Sequence, residues 1–189
     1  MVCKEVKNIF NIGVVLDYLN KTLVALIPKF QSPETISNYR PINLCNSIYK
    51  IVTKVIIAWI RPLLSNLVSP MQVAFVLGRR GLDNVIIAQE LIHSIDNKKG
   101  KTGYMAIKVD LEKTYDMLEW NFIDKVLQAF HFPKQLVKFI MSCISSTSIS
   151  ILLNGGALEE FYPMRGICQS DPIISILFHL VYGILRKTY

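Results

Sequence analysis

The stretch "GYMAIKVDLEKTYDMLEW", residues 103–120, decides how the chain is read. Its first half has the composition of a strand, and four carboxylates follow: Asp110, Glu112, Asp116 and Glu119. Apolar packing alone avoids such a cluster, because a carboxylate buried without a partner is costly. The pattern predicts a strand over "YMAIKV" ending at Asp110, which leaves that carboxylate at the strand's open end, within reach of solvent and ligand. From the residues alone two readings stand. In one, Asp110 and Asp116 cap the turn and the next helix, and Glu112 and Glu119 favour its N-terminal dipole. In the other, Asp110 belongs to a site for a hard divalent ion, which needs several carboxylates converging on it.

Working outward, periodicity and breakers divide the rest of the chain. Val2, Val6, Ile9 and Phe10 share a helical face that Gly13 ends, and "KTLVALIP" is a strand closed by Pro28. The polar segment 29–41, with two prolines, predicts a loop. "NSIYKIVTKVIIAWI" predicts a core helix ending near Pro62, and "DNVIIAQELIHSI" a second helix capped by Asp83, with Val85, Ile86, Leu91, Ile92 and Ile95 apolar. Trp120, Ile123, Leu127 and Phe130 line a helix that stops before Pro133, and another runs from about Lys134 to Cys143. Asn154-Gly155-Gly156 between two strand-like runs signals a hairpin, and a final apolar helix follows Asp171-Pro172.

The totals narrow the function classes. At 189 residues the chain is long enough for one sizeable core. With 51% hydrophobic residues and a mean hydropathy of +0.35 it is more apolar than most soluble domains. Its longest apolar run, "PIISILFHLVYGIL", falls short of the roughly 20 residues that span a bilayer, so no membrane role is expected. The N-terminus lacks the apolar core of a secretory signal, which predicts an intracellular setting, nucleus or cytoplasm unresolved. Cysteines 3, 45, 143 and 168 form no CxxC pair and predict reduced, mostly buried thiols without zinc. Histidines 93, 131 and 179 share no ligand spacing. Lys plus Arg outnumber Asp plus Glu by 21 to 14, a net charge of +7 that favours a polyanionic partner.

Two further features are candidates for a site. "MRGICQSDP", residues 164–172, sets Arg165, Gly166, Gln169 and Asp171 as a polar knot in an apolar neighbourhood; its simplest reading is a turn with a capping Asp before Pro172. Lys29, Arg40, Arg79 and Arg80 lie in loops beside core helices, suited to phosphate or to a solvated surface.

Taken in order, "LNKTLVALIPK", "NYRPINLCNSIYKIVTKV", "SPMQVAFVLGRRGLDNV", "GYMAIKVDLEKTYDMLEW" and "MRGICQSDPIISILF" resemble the reverse transcriptase domain of LINE-type, non-LTR retrotransposons, especially the plant elements. The resemblance covers nearly the whole chain. It implies an α+β fold of fingers plus a partial palm, with helices packed on a small antiparallel sheet. Residues from 1 to about 100 would form the fingers and connecting helices, and about 101–189 an incomplete palm.

The resemblance implies two-metal nucleotidyl transfer. A primer 3′-hydroxyl attacks the α-phosphate of a dNTP on an RNA template, and pyrophosphate leaves. Asp110 takes the position of the catalytic, Mg²⁺-binding aspartate, and the Leu111 carbonyl lies beside the nucleotide-side metal. Tyr115 matches the aromatic that stacks on the incoming sugar and disfavours a 2′-hydroxyl. Arg40 and Lys29 match residues that hold the triphosphate, and Gln169 the glutamine beside the nascent base pair. Asp116 matches a structural position. The partners implied are RNA template, DNA primer and dNTP.

The match also has departures. Ser170 stands for the glycine of the usual Gln-Gly-Asp-Pro, Thr114 for alanine, Leu77 for proline, and Ile173, Ile174 and Ser175 for Leu-Ser-Pro. The aromatic-Ala-Asp-Asp segment is not reached by Tyr189, and no Asp-Asp pair occurs. The expectation is a polymerase fragment inactive by itself, against two alternatives: a non-catalytic nucleic-acid-binding remnant, or an unrelated α+β interaction scaffold. A sheet face and the final helix are expected to lack cover, leaving the chain prone to aggregation.

Overall fold

The computed structural model describes residues 2–100, 103–110 and 113–188, with side chains to Ile184. Helix α1 (Val2–Ile12) stops where the sequence predicts: Gly13 takes φ +75° and its N–H donates to the Ile9 carbonyl at 2.8 Å. Asn20 then ties three elements together. Its Nδ2 donates to the Cys143 carbonyl at 2.6 Å and to Ser146 Oγ at 2.9 Å, while its carbonyl accepts from the Ser148 N–H at 3.1 Å.

Strand β1 (Lys21–Pro28) pairs antiparallel with β2 (Tyr39–Cys45) and parallel with β3 (Ser148–Leu153). A two-residue β4 (Gly156–Ala157) completes the order β2-β1-β3-β4. The architecture is α+β, as expected, but the sheet is mixed. Two of its three pairings are antiparallel, whereas β1 and β3 run parallel because a long crossover carrying most of the helices separates them. Asn154 and Gly155, at φ +50° and +84°, make the tight turn of the β3–β4 hairpin.

The loop predicted over 29–41 gives way to strand from Tyr39. Pro41 sits opposite Leu26 on an edge strand, the one place in a sheet where a missing N–H leaves no ladder bond unmade. The strand predicted over 104–109 does not form. Residues 103–110 are exposed and outside any regular element, and no strand among the described residues pairs with their N–H and C=O groups.

The core is helical. Helices α2 (Ser47–Ile60), α5 (Trp120–Ala129), α6 (Lys134–Ser145) and α7 (Ile174–Thr188) bury Val52, Ile56, Ile123, Leu127, Ile140, Ile176 and Leu180, joined by Ile9 of α1 and Leu64 of the short α3 (Leu64–Leu67). Asn46 caps α2, its Oδ1 accepting from the Ile48 N–H at 2.8 Å. Each such aliphatic side chain contributes roughly 1.5–3 kcal/mol on burial. Both halves of the chain feed this one cluster.

Helix α4 (Gly81–Asp96) has no buried residue. It starts two residues before Asp83, at an Arg80 N-cap without a side-chain bond. Its predicted apolar face is present, but Leu82, Val85, Leu91 and Ile92 are each more than half exposed. The expectation of uncovered apolar surface holds for the sheet face, where the outer positions of β1 and β2 face solvent, but not for the final helix, since α7 is buried; α4 and residues 104–109 are exposed in addition. Cysteine burial also differs from expectation. Only Cys143 is buried; Cys45 and Cys168 are half-buried and Cys3 exposed, all as free thiols.

Candidate functional site

The two motif-rich stretches, far apart in sequence, meet. The turn after Asp110 is held by Asp116 and Met117 N–H groups on the Lys113 carbonyl, at 3.0 and 3.1 Å. Against it lies the 164–172 segment. Gly166 N–H donates to the Leu118 carbonyl at 2.8 Å, Ile167 N–H to the Tyr115 carbonyl at 3.0 Å, and Trp120 Nε1 to the Gly166 carbonyl at 2.8 Å. Gly166 has φ +82°, and a Cβ there would sit 2.8 Å from the Asp116 carbonyl oxygen. No side chain fits between the two segments at this point. Arg165 and Glu119 add an exposed ion pair at 3.7 Å, worth little by itself.

Beside this junction a groove of about 270 Å³ opens between one face of the sheet and the 163–171 loop. Because strand side chains alternate, Pro41 and Asn43 of β2 share a face with Val24 of β1 and with Ile149 and Ile151 of β3. Asp116, Arg165, Gln169 and Asp171 line the opposite wall. The groove thus has an apolar floor and a polar rim, the arrangement that orients a ligand with few polar contacts.

The candidate residues are distributed unevenly around it. Gln169 lines the groove. Tyr115 is half-buried in the adjoining turn, its ring 5.2 Å from that of Phe178 on α7 and its carbonyl bonded to Ile167. Asp110 is exposed at the end of the 103–110 segment. Arg40 is exposed and, by strand alternation, belongs to the sheet face turned away from Pro41 and Asn43. Lys29 donates its Nζ to the Ser37 carbonyl at 2.7 Å in its own loop. Leu111 lies outside the described residues, as does Glu112. Arg79 is occupied structurally: its guanidinium donates to the carbonyls of Ser65, Ser69 and Gln72 at 3.0, 2.6 and 2.7 Å.

The buried polar centre behind the groove is Asp171. It is 2% exposed; its Oδ1 accepts from the Ile173 N–H at 3.0 Å, which opens α7, and its Oδ2 accepts from the Tyr49 hydroxyl. Tyr49 Oη also lies 3.1 Å from the Cys143 carbonyl. Burial raises the Asp171 carboxyl to about 6, with the Tyr49 and Ile173 hydrogen bonds opposing. Burial likewise raises the Tyr49 hydroxyl. The capping role of Asp171 was readable from Asp-Pro before an apolar helix. Tyr49 was not, since nothing in α2 marks one tyrosine as reaching across 122 residues.

His179 packs in the same manner: its Nε2 meets the Ala74 carbonyl, burial lowers its basicity, and Gln72 Nε2 donates to its carbonyl at 3.2 Å. It fastens α7 to the 69–80 loop.

Comparison with known proteins gives this geometry a family. Residues 27–187 match the family described as "Reverse transcriptase (RNA-dependent DNA polymerase)". The chain is 27% identical over 160 residues to "Transposon TX1 uncharacterized 149 kDa protein" of Xenopus laevis, covering 85% of this chain and 12% of that protein. It is 29% identical over 164 residues to "Retrovirus-related Pol polyprotein from type-2 retrotransposable element R2DM" of Drosophila melanogaster, covering 86% and 15%. A third relative, "Retrovirus-related Pol polyprotein from type-1 retrotransposable element R2" of Popillia japonica, is 30% identical over 100 residues, covering 53% and 16%. The chain thus spans less than a fifth of the length of each of these relatives.

Proposed function

The chain belongs to the reverse transcriptase (RNA-dependent DNA polymerase) family, in its LINE-type, non-LTR retrotransposon branch, and we propose on that premise that it is the fingers and first part of the palm of such a polymerase. The match over residues 27–187 carries this reading. In the complete enzyme a primer 3′-hydroxyl would attack the α-phosphate of a dNTP opposite an RNA template. Asp110 would supply a metal-binding carboxylate, with the Leu111 carbonyl beside it. Tyr115 would face the sugar, Arg40 and Lys29 the triphosphate, and Gln169 the nascent base pair.

The contribution of these residues is placement. The Gly166, Ile167 and Trp120 hydrogen bonds hold Tyr115 and the Gln169 turn in one rigid junction, so the sugar gate and the base-pair contact keep a fixed separation. A divalent ion, magnesium by resemblance, would stabilise charge during transfer. Among the described residues no three His, Cys, Asp or Glu groups converge to hold one. These residues alone do not fit the ion.

For the 189-residue chain by itself we infer nucleic-acid binding without catalysis. Its net charge of +7 supports this reading. Primer extension tests it: with an RNA template, DNA primer, dNTPs and magnesium, the purified chain binds the duplex but leaves the primer unextended. Extension above a protein-free control would overturn the inactivity, and absence of binding at low salt would overturn the retained affinity.

A further inference from the structure

The groove's far end holds a cluster that the polymerase reading leaves unused. Cys45 is the last residue of β2 and, by alternation, shares the groove-side face with Pro41 and Asn43. Its Sγ lies 3.8 Å from Cys168 Sγ and 2.7 Å from Ser170 Oγ, and Thr22 Oγ1, its cross-strand neighbour, donates to it at 3.4 Å. Cys168 Sγ is also 3.7 Å from Ser170 Oγ. Both thiols are half-buried, so a small reagent can reach them. Ser170 is itself a departure from the family's usual glycine, and its hydroxyl is the group that touches both sulfurs.

We propose that Cys45 and Cys168 form a redox-reactive dithiol that a small disulfide converts to an intramolecular disulfide, tying the end of β2 to the 168–171 turn. Cys45 is the attacking group. Hydrogen bonding from Cys168, then Ser170 and Thr22, together with the Lys50 charge, outweighs burial and lowers it to about 6. The same hydrogen bond to Cys45, followed by burial, raises Cys168, which holds its proton until the second step. The Cys45 thiolate attacks one sulfur of glutathione disulfide, forming a mixed disulfide and expelling one glutathione thiolate. Cys168 gives its proton to that thiolate and attacks Cys45 Sγ, expelling the second glutathione as a thiolate, which takes from solvent the proton that Cys45 released on ionising. Two protein thiols are oxidised and one glutathione disulfide is reduced to two thiols, so electrons and protons balance.

The resulting link would fasten β2 beside Gln169, the residue next to Cys168. Cys143 stands as an internal contrast. It is buried, its carbonyl lies 3.1 Å from Tyr49 Oη, burial keeps its thiol protonated, and among the described residues no other thiol pairs with it.

The test uses the full 189-residue chain carrying Cys3→Ser, which removes the exposed thiol, treated with glutathione disulfide at dilution and digested without reduction. Mass spectrometry is expected to find a Cys45–Cys168 linked peptide lacking two hydrogen atoms, with Cys143 unmodified. In Cys168→Ser the reaction should stop at glutathione bound to Cys45. Ser170→Gly should slow the first step at about pH 7 and leave it unchanged at about pH 10, where thiols ionise without help. A merely structural role for Ser170 would give no such pH difference. Absence of the linked peptide, or a link through Cys143 in its place, would overturn the proposal. Equal rates for Ser170→Gly and its parent at about pH 7 would overturn the role given to the hydroxyl.

Discussion

Gly166→Ala is the substitution whose outcome the structure specifies most closely. Two separate penalties apply. At φ +82° an L-residue loses roughly 1–2 kcal/mol relative to glycine. The added Cβ would also stand 2.8 Å from the Asp116 carbonyl oxygen and 3.1 Å from its Cα. Those atoms are backbone, fixed by the Asp116 N–H bond to Lys113, and cannot rotate away. Overpacking of this kind adds about 1–3 kcal/mol. The total is about 2–5 kcal/mol. Gly155→Ala separates the two contributions: its φ is +84°, yet nothing lies within 4 Å of where its Cβ would stand, so it carries the backbone penalty alone. Urea unfolding followed by far-ultraviolet circular dichroism should put Gly166→Ala below Gly155→Ala by about 1–3 kcal/mol, a midpoint difference on the order of 1 M. Equal midpoints would refute the close approach of the 113–118 turn to Gly166, and with it the junction on which the site is built.

Three other outcomes follow from the same contacts. Asp171 has its carboxyl raised from 3.8 to about 6, so it binds a proton more tightly folded than unfolded. Its contribution to stability is full below about pH 4 and is lost as pH rises through about 6, a change of about 3 kcal/mol that Asp171→Asn should abolish in unfolding curves taken across this range. Asn20→Ala removes the donor from the Cys143 carbonyl and Ser146 Oγ and should lower stability by about 1–3 kcal/mol by urea titration; an unchanged midpoint would mean that the clasp is not made in solution. The uncovered faces of α4 should make the chain self-associate at modest salt in sedimentation velocity, and Leu82→Gln with Leu91→Gln should reduce this; a monodisperse monomeric parent would contradict it.

Local signals were legible in the sequence, and partnerships were not. The ends of α1, β1 and α2 and the turn at Asn154-Gly155 follow from a glycine, a proline and an asparagine, each acting within a few residues of itself. By contrast, among the described residues "YMAIKV" has a strand's composition without a neighbouring strand, and α4 has a helix's apolar face that none of its residues buries. A pattern states what a segment would bury, but not whether the complement is within reach. Residues 39–45 were obscured by Pro41, which an edge strand tolerates. At the site, Gln169 and the polar knot were visible as a motif, whereas the Tyr49–Asp171 bond and the Cys45–Cys168–Ser170 cluster join positions more than 120 residues apart. Arg40 shows the limit in the other direction: its residue type suits a phosphate, but strand alternation sets it on the face away from the groove.

The most direct test of the central claim is a fluorescence-anisotropy titration of a labelled DNA primer on an RNA template, from about 50 to 200 mM salt, with magnesium and dNTPs present and the primer length read afterwards. The expected result is a binding constant whose logarithm falls linearly with the logarithm of salt, the same slope for Asp110→Asn, and a primer of unchanged length. Binding that is absent at the lowest salt, or a primer that grows, would contradict it.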